Sequence, residues 1–165
     1  MIVAIPSKGR PGKVSSLKYI PSANLFVPEY EADSYRRAGH ECVGVPCDVR
    51  GITATRNWIL NHVKDHRVVF IDDDAKKVGW TKMYRHKCRH KALSEVDLLG
   101  EFSKLFDVTE SMNYRIWGCH TQAAPRSIYP YWPFRFRTYV TASCMGMINT
   151  PDLRFDESVP RERRL

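Results

Sequence analysis

The stretch VVFIDDD, Val68 to Asp74, runs four apolar residues directly into three aspartates. A strand with one wet face alternates apolar and polar residues, whereas Val68, Val69, Phe70 and Ile71 leave no position for water, so both faces must be covered. Strands of that kind belong to parallel sheets layered between helices. Where this strand leaves the core, Asp72, Asp73 and Asp74 repel one another. Cations must face them, as side chains or as a bound metal.

The preceding sequence supplies such a sheet. Ile2 to Pro6 is a short apolar strand broken by SKGRPGK, Asn24 to Pro28 is a second and Glu41 to Pro46 a third. Between them EYEADSYRRAG has helical composition, with Gly39 as its stop. In GITATRNWILNHV, Ile52, Ile59, Leu60 and Val63 form one helical stripe that also contains Arg56. An arginine turned toward a core is costly unless paired, so Arg56 is expected to face a carboxylate or phosphate, and the nearest acids are Asp72 to Asp74. The lysines just downstream of the aspartates are expected to help compensate them.

Further on, Ser94 reads as an N-cap with Asp97 three residues later, followed by a helix whose apolar face is Leu98, Leu99, Phe102, Leu105 and Phe106. Strand signals return at Arg115 to His120, Phe134 to Val140 and Met145 to Asn149, around a loop containing Pro125, Pro130 and Pro133 that could serve as a lid or acceptor wall. The expected fold is α/β: a mixed, mainly parallel sheet flanked by helices, with a β-rich C-terminal half. A chain of 165 residues with 43% apolar content is read as one domain, residues 1–80 and 81–165 being its two halves.

Charge is unevenly placed. The net charge is +8, and Lys76, Lys77, Lys82, Arg85, Lys87, Arg89 and Lys91 fall together between Asp74 and Asp97 with Glu95 the one acid among them. From Ser111 to Pro151 there is no acid, and Arg115, Arg126, Arg135 and Arg137 are interleaved with Trp117, Tyr129, Tyr131, Trp132, Phe134 and Phe136. Cations with aromatic faces suit nucleic acid, although a plain solvated basic surface has the same composition. Five cysteines without a Cys-x-x-Cys pair fit a reducing compartment, and no apolar run approaches a membrane span, so an intracellular, cytoplasmic protein is expected. His86, Cys88 and His90 alternate in RHKCRHK, but structural zinc calls for four ligands at wider spacings and fewer neighbouring cations.

In open parallel sheets, ligands bind beyond the carboxyl ends of the strands. That rule gathers Pro6 to Gly12, Pro28 to Glu31, Pro46 to Gly51 and Asp72 to Asp74 at one edge. Pro6, Lys8 and Arg10 in the glycine turn can meet a diphosphate, and Glu29 or Asp48 can accept hydrogen bonds from a base or ribose. Acids flanking one residue can ligate Mg²⁺ or Mn²⁺, which bridges diphosphate oxygens and stabilises a leaving charge.

The segments IVAIPSKGRP, GITATRN and VVFIDDD, in this order and spacing, resemble GT-A-type nucleotide-sugar glycosyltransferases, and within them the phage-type TET-associated glycosyltransferases that decorate oxidised methyl groups on DNA bases. The resemblance implies an Asp-x-Asp motif at Asp72 and Asp74, with Asp74 the direct metal ligand, Asp72 nearer the ribose and Asp73 between them. It implies a nucleotide diphosphate sugar, a UDP-sugar, as donor, and Arg56 as the helix arginine facing the diphosphate or the acidic motif. It also places a catalytic acid or base late in the chain, where LRFDESVPRERRL offers Asp156 and Glu157. The family's later Glu-Asp pair is replaced by Glu162 and Arg163, so either a minimal or truncated member or incomplete catalytic machinery is expected. The implied acceptor is a hydroxymethylated base in DNA, reached through Lys76, Lys77, Arg85, Arg89 and the basic aromatic second half, in the host cytoplasm if phage-encoded. A nucleotidyltransferase and a non-catalytic nucleic-acid-binding module are the competing readings.

Overall fold

Val68, Val69, Phe70 and Ile71 are fully buried in a strand at the middle of the sheet. The computed structural model describes residues 1–84, 87–120, 140–141 and 143–158, with backbone alone over 81–84 and 87–90. Its strands are β1 (Ile2–Pro6), β2 (Asn24–Pro28), β3 (Val43–Val45), β4 (Arg67–Ile71), β5 (Gly79–Tyr84), β6 (Lys87–Ala92), β7 (Ile116–Gly118) and β8 (Cys144–Ile148). The α-helices are α1 (Ala32–Arg37), α2 (Ile52–His62) and α3 (Glu95–Ser111).

Six strands form one sheet in the order β3-β2-β1-β4-β8-β7, and β5 pairs with β6 as a separate ribbon. The first four are mutually parallel, while β8 runs antiparallel to both β4 and β7. The strand whose last four residues are all apolar therefore lies between β1 and β8, flanked on both edges and covered on both faces. On one face Val69 and Ile71 join Val3, Ile5, Leu98, Phe102 and Phe106 of α3. On the other, Val68 and Phe70 join Ala4, Phe26, Ile59 and Leu60 of α2. Full burial of each such apolar side chain contributes about 1.5–3 kcal/mol relative to exposure.

Helix α3 starts as its sequence indicates, with the Ser94 hydroxyl accepting the Asp97 amide at 3.2 Å. Its far end is fixed by Arg67, which donates to Asp107 at 2.8 Å and to Glu110 at 2.6 Å and lies 5.5 Å over the Phe106 ring. Trp117 packs 5.4 Å from both Phe102 and Phe106 and crosses β8 at Gly146, where a Cβ would come within 2.2 Å of the indole.

Three details differ from the sequence reading. The stretch 29–39 divides into a 3-10 turn (Glu29–Glu31) and α1, in which Tyr35 is fully buried. Ile52, assigned to the apolar stripe of α2, is 39% exposed in the first turn, while Asn57 takes a buried place. The basic run after Asp74 forms the β5–β6 ribbon, which the absence of apolar alternation had concealed. The proline loop, the expected strand at 134–140 apart from Val140, Arg85 and His86, and the tail from 159 onward lie outside the described residues. Among the described residues, no helix is long and apolar enough to cross a membrane.

Candidate active site

The three aspartates that follow β4 meet different partners, and the backbones of Asp72 and Asp73 are each held by hydrogen bonds. The Asp72 amide donates to the Ser143 carbonyl at 3.0 Å, extending the β4–β8 ladder by one residue. The Asp73 carbonyl accepts the amides of Ser15 at 2.8 Å and Ser16 at 3.3 Å. The turn then closes with the Ala75 amide on the Asp72 carbonyl.

Asp72 faces α2. Arg56 is only 6% exposed and its Nη2 donates to Asp72 Oδ1 at 3.1 Å, while its guanidinium lies 5.7 Å from the rings of both Phe70 and Phe155. The inward arginine expected from the stripe therefore meets the acidic cluster. Burial raises the Asp72 carboxyl above the ordinary aspartate value, although the Arg56 charge and the Ser143 side chain pull the other way. Desolvation lowers the Arg56 pKa, and Asp72 opposes it. A guanidinium starts so high that it remains charged.

Asp73 and Asp74 meet the turn after β1. Arg10 Nη1 donates to Asp73 Oδ1 at 3.0 Å and to Asp74 Oδ2 at 3.2 Å, and these contacts raise the Arg10 pKa further, the Asp74 hydrogen bond most. Ser7 Oγ donates to Asp73 Oδ2 at 2.6 Å and shares a 2.8 Å hydrogen bond with the Tyr35 hydroxyl, which also accepts the Arg10 amide at 3.1 Å. Gly9 adopts a φ of +71°, a conformation costly for residues with a Cβ, and its amide donates to Glu31 at 2.6 Å. Among the described residues, ion pairs to the aspartates come from Arg56 and Arg10. The exposed Lys76 and Lys77, expected to help, make no such pair.

Near Asp72 lies a polar cluster of another kind. Cys119 and Cys144 oppose one another, with the Cys119 amide donating to the Cys144 carbonyl at 2.8 Å. Their thiols hydrogen-bond, which pulls the Cys119 pKa down and pushes that of Cys144 up. The buried Tyr19 hydroxyl has no hydrogen-bond partner among the described residues, and burial, followed by the proximity of Cys144, Asp72 and Cys119, raises its pKa.

The late acids separate. Asp156 Oδ1 accepts the amide and hydroxyl of Ser158 at 2.8 and 2.6 Å, which holds its pKa below the usual aspartate value. Glu157 is bound to α2, where Asn57 Nδ2 donates to its Oε1 at 2.7 Å. Asn57 also donates to the Phe155 carbonyl at 2.9 Å and accepts the Phe155 amide at 2.9 Å, so one side chain fixes the segment that brings Glu157 next to the helix turn carrying Arg56. Pro6 is buried at the end of β1, with Lys8 exposed in the turn that follows. Glu29 is exposed beyond β2 and packs its Cβ and Cγ across Gly44, and Asp48 is exposed in the loop between β3 and α2.

Ser7, Glu31, Tyr35 and Asn57 were not singled out in the sequence. Serine in SKGR and asparagine beside Arg56 carry little signal alone, since their partners lie 66 and 98 residues away. Among the described residues no group of three or more His, Cys, Asp or Glu side chains is arranged to hold a metal. Asp72 and Asp74 nevertheless supply the hard oxygen donors that Mg²⁺ and Mn²⁺ take, in the common mode where one or two carboxylates act together with substrate phosphates.

Comparison with curated proteins found no match. The family model for TET-Associated Glycosyltransferase matches residues 1–158, which includes every element of the sheet and all three aspartates. With the match extending over nearly the whole chain, the protein belongs to the TET-associated glycosyltransferase family.

Proposed function

We propose that this chain transfers a sugar from a nucleotide diphosphate sugar, a UDP-sugar, to the hydroxyl of a hydroxymethylated base in DNA, through a GT-A-type donor site at the ends of β1 and β4. The observation that carries this reading is the Asp72–Asp74 cluster at the carboxyl end of the central parallel strand, faced by Arg56 and Arg10, in a chain of glycosyltransferase ancestry.

Asp72 and Asp74 would hold Mg²⁺ or Mn²⁺ together with the donor. The metal, when bound, supplies positive charge to the leaving diphosphate. Arg10 exchanges its aspartate partners for phosphate oxygens, and Lys8 adds a second cation from the same turn. Arg56 keeps Asp72 oriented and favours its ionised form, while Ser7 and Tyr35 hold Asp73 and the glycine turn in place. Glu29 and Asp48 accept hydrogen bonds from the nucleoside. In the transfer, the anomeric C–O bond to the diphosphate breaks as a C–O bond to the acceptor forms, and the acceptor's proton passes to a carboxylate.

Glu157 is the better placed base of the late pair. Asp156 is occupied by Ser158 and held below its ordinary pKa, which weakens it for proton abstraction near neutrality.

The test is incubation of the full chain with hydroxymethylcytosine-containing duplex DNA, Mn²⁺ and a panel of nucleotide sugars, followed by digestion and mass spectrometry of the nucleosides. Hexosylated nucleoside with the wild type, and its loss with Asp72→Asn, is expected. Release of sugar 1-phosphate with a nucleotidylated product, and no sugar adduct, would instead identify a nucleotidyltransferase.

A further inference from the structure

The chain does not pass directly from the aspartates to α3. It first goes out along β5 and returns along β6, and the register of that ribbon sorts its residues. Trp80 pairs with Lys91, Lys82 with Arg89 and Tyr84 with Lys87, whereas Thr81 pairs with His90 and Met83 with Cys88. Directly opposed residues share a face and successive residues alternate. Trp80, Lys82, Tyr84, Lys87, Arg89 and Lys91 therefore occupy positions on one face, and Thr81, Met83, Cys88 and His90 occupy the other.

No acid occurs from Ala75 to Ser94. Like charges directly across an antiparallel pair destabilise it, and an isolated two-stranded ribbon is marginal in water. A face that opposes Lys82 to Arg89 is thus costly unless an anion relieves it. The base of the ribbon is nonetheless anchored: the Leu93 amide donates to the Val78 carbonyl at 3.3 Å, and Ala75, Val78 and Leu93 pack on the core beside α3. At that base Trp80 is 45% exposed and Lys91 is exposed.

We infer that the ribbon is a docking arm for double-stranded DNA, laying its Trp80–Lys91 face into the major groove and along the flanking phosphates so that the acceptor base is presented to the Asp72–Asp74 end of β4. Six-residue strands extend about 20 Å, and two strands about 4.8 Å apart fit a B-form major groove about 12 Å wide. An A-form RNA duplex has a major groove too narrow for such an element. The inference rests on the DNA-acceptor reading above and locates where that acceptor is held.

The experiment measures binding of the full chain to a fluorescent hydroxymethylcytosine duplex over a salt series, together with nucleotide-sugar binding and thermal unfolding. Replacing Lys82, Lys87, Arg89 and Lys91 with Gln is expected to weaken DNA binding and to lower the magnitude of the log–log salt slope by about three to four, since each phosphate contact contributes about 0.9. Nucleotide-sugar binding should be retained, and the unfolding midpoint should not fall, since the substitutions remove like-charge repulsion. Thr81→Ala with His90→Ala, on the other face, should leave DNA affinity within about two-fold of wild type, as expected where no phosphate contact is lost. Unchanged affinity and slope in the four-Gln variant would overturn the inference, as would equally tight binding of an RNA duplex. The two readings fail differently: the DNA-acceptor reading fails if the wild type binds nucleotide sugar and duplex but transfers nothing, and the ribbon fails if transfer to DNA occurs with KM for the duplex unchanged in the four-Gln variant.

Discussion

Replacing Arg56 with Met tests the polar link between α2 and β4. The substitution keeps an apolar stem between Phe70 and Phe155 but removes the cation that faces Asp72 at 3.1 Å. Removing one partner of a fully buried pair costs about 3–5 kcal/mol, and because the Asp72 side chain remains 36% exposed the expected loss is discounted to about 2–3 kcal/mol. Loss of the two cation–π contacts adds about 1 kcal/mol, part of which Met recovers by packing. A net destabilisation of about 3 kcal/mol is expected in urea unfolding followed by circular dichroism. Combined with Asp72→Asn, the two losses should fall short of their sum by at least about 1 kcal/mol, because both remove the same pair.

The pH dependence has a definite sign. Burial raises the folded pKa of Asp72, so in the window from the ordinary aspartate value up to the raised value the folded state binds more protons and stability falls as pH rises. Without Arg56, whose charge opposes that shift, the window widens upward, and the deficit of Arg56→Met should shrink on acidification. A variant within about 0.5 kcal/mol of wild type, or losses that simply add, would refute the argument and mean that Arg56 does not engage Asp72 in solution.

Further expectations follow from the late segment. Asn57→Ala breaks three hydrogen bonds and leaves the Phe155 backbone to find other partners, so a loss of about 2–4 kcal/mol is expected in the same unfolding assay; a loss below about 1 kcal/mol would show that Asn57 does not hold the segment in solution. For transfer itself, Glu157→Gln should lower kcat by about 10²–10⁴, the usual contribution of a general base, while Asp156→Asn changes it only a few-fold; the reverse order in single-turnover assays would exchange their roles.

The strands of the six-stranded sheet and the acidic terminus of β4 were legible because they are written locally. The unbroken apolar run of 68–71, the Ser94 cap and the arginine inside the α2 stripe each state their surroundings within a few residues. What escaped depends on distant partners or on register. Ser7 and Tyr35 matter because β1 and α1 bring them to Asp73, and Asn57 because residue 155 returns to α2. The compensating Arg10 was read as a diphosphate ligand, and its second role follows from the parallel pairing of β1 with β4, which sets their carboxyl ends side by side. The ribbon escaped because Trp80 and Tyr84 share a face with its cations and Met83 and Cys88 share the other with Thr81 and His90, so neither face reads as apolar.

The most direct measurement is calorimetric titration of nucleotide sugar into the wild type and Asp74→Ala, each with and without Mn²⁺. Asp74 is 66% exposed with Arg10 as its ion-pair partner, so its removal should leave the unfolding midpoint nearly unchanged while abolishing metal-dependent binding. Wild-type binding that requires Mn²⁺ and disappears in Asp74→Ala is the predicted result. Equal binding by both proteins, or wild-type binding indifferent to metal, would contradict the assignment of the β4 aspartates to a metal-assisted diphosphate site.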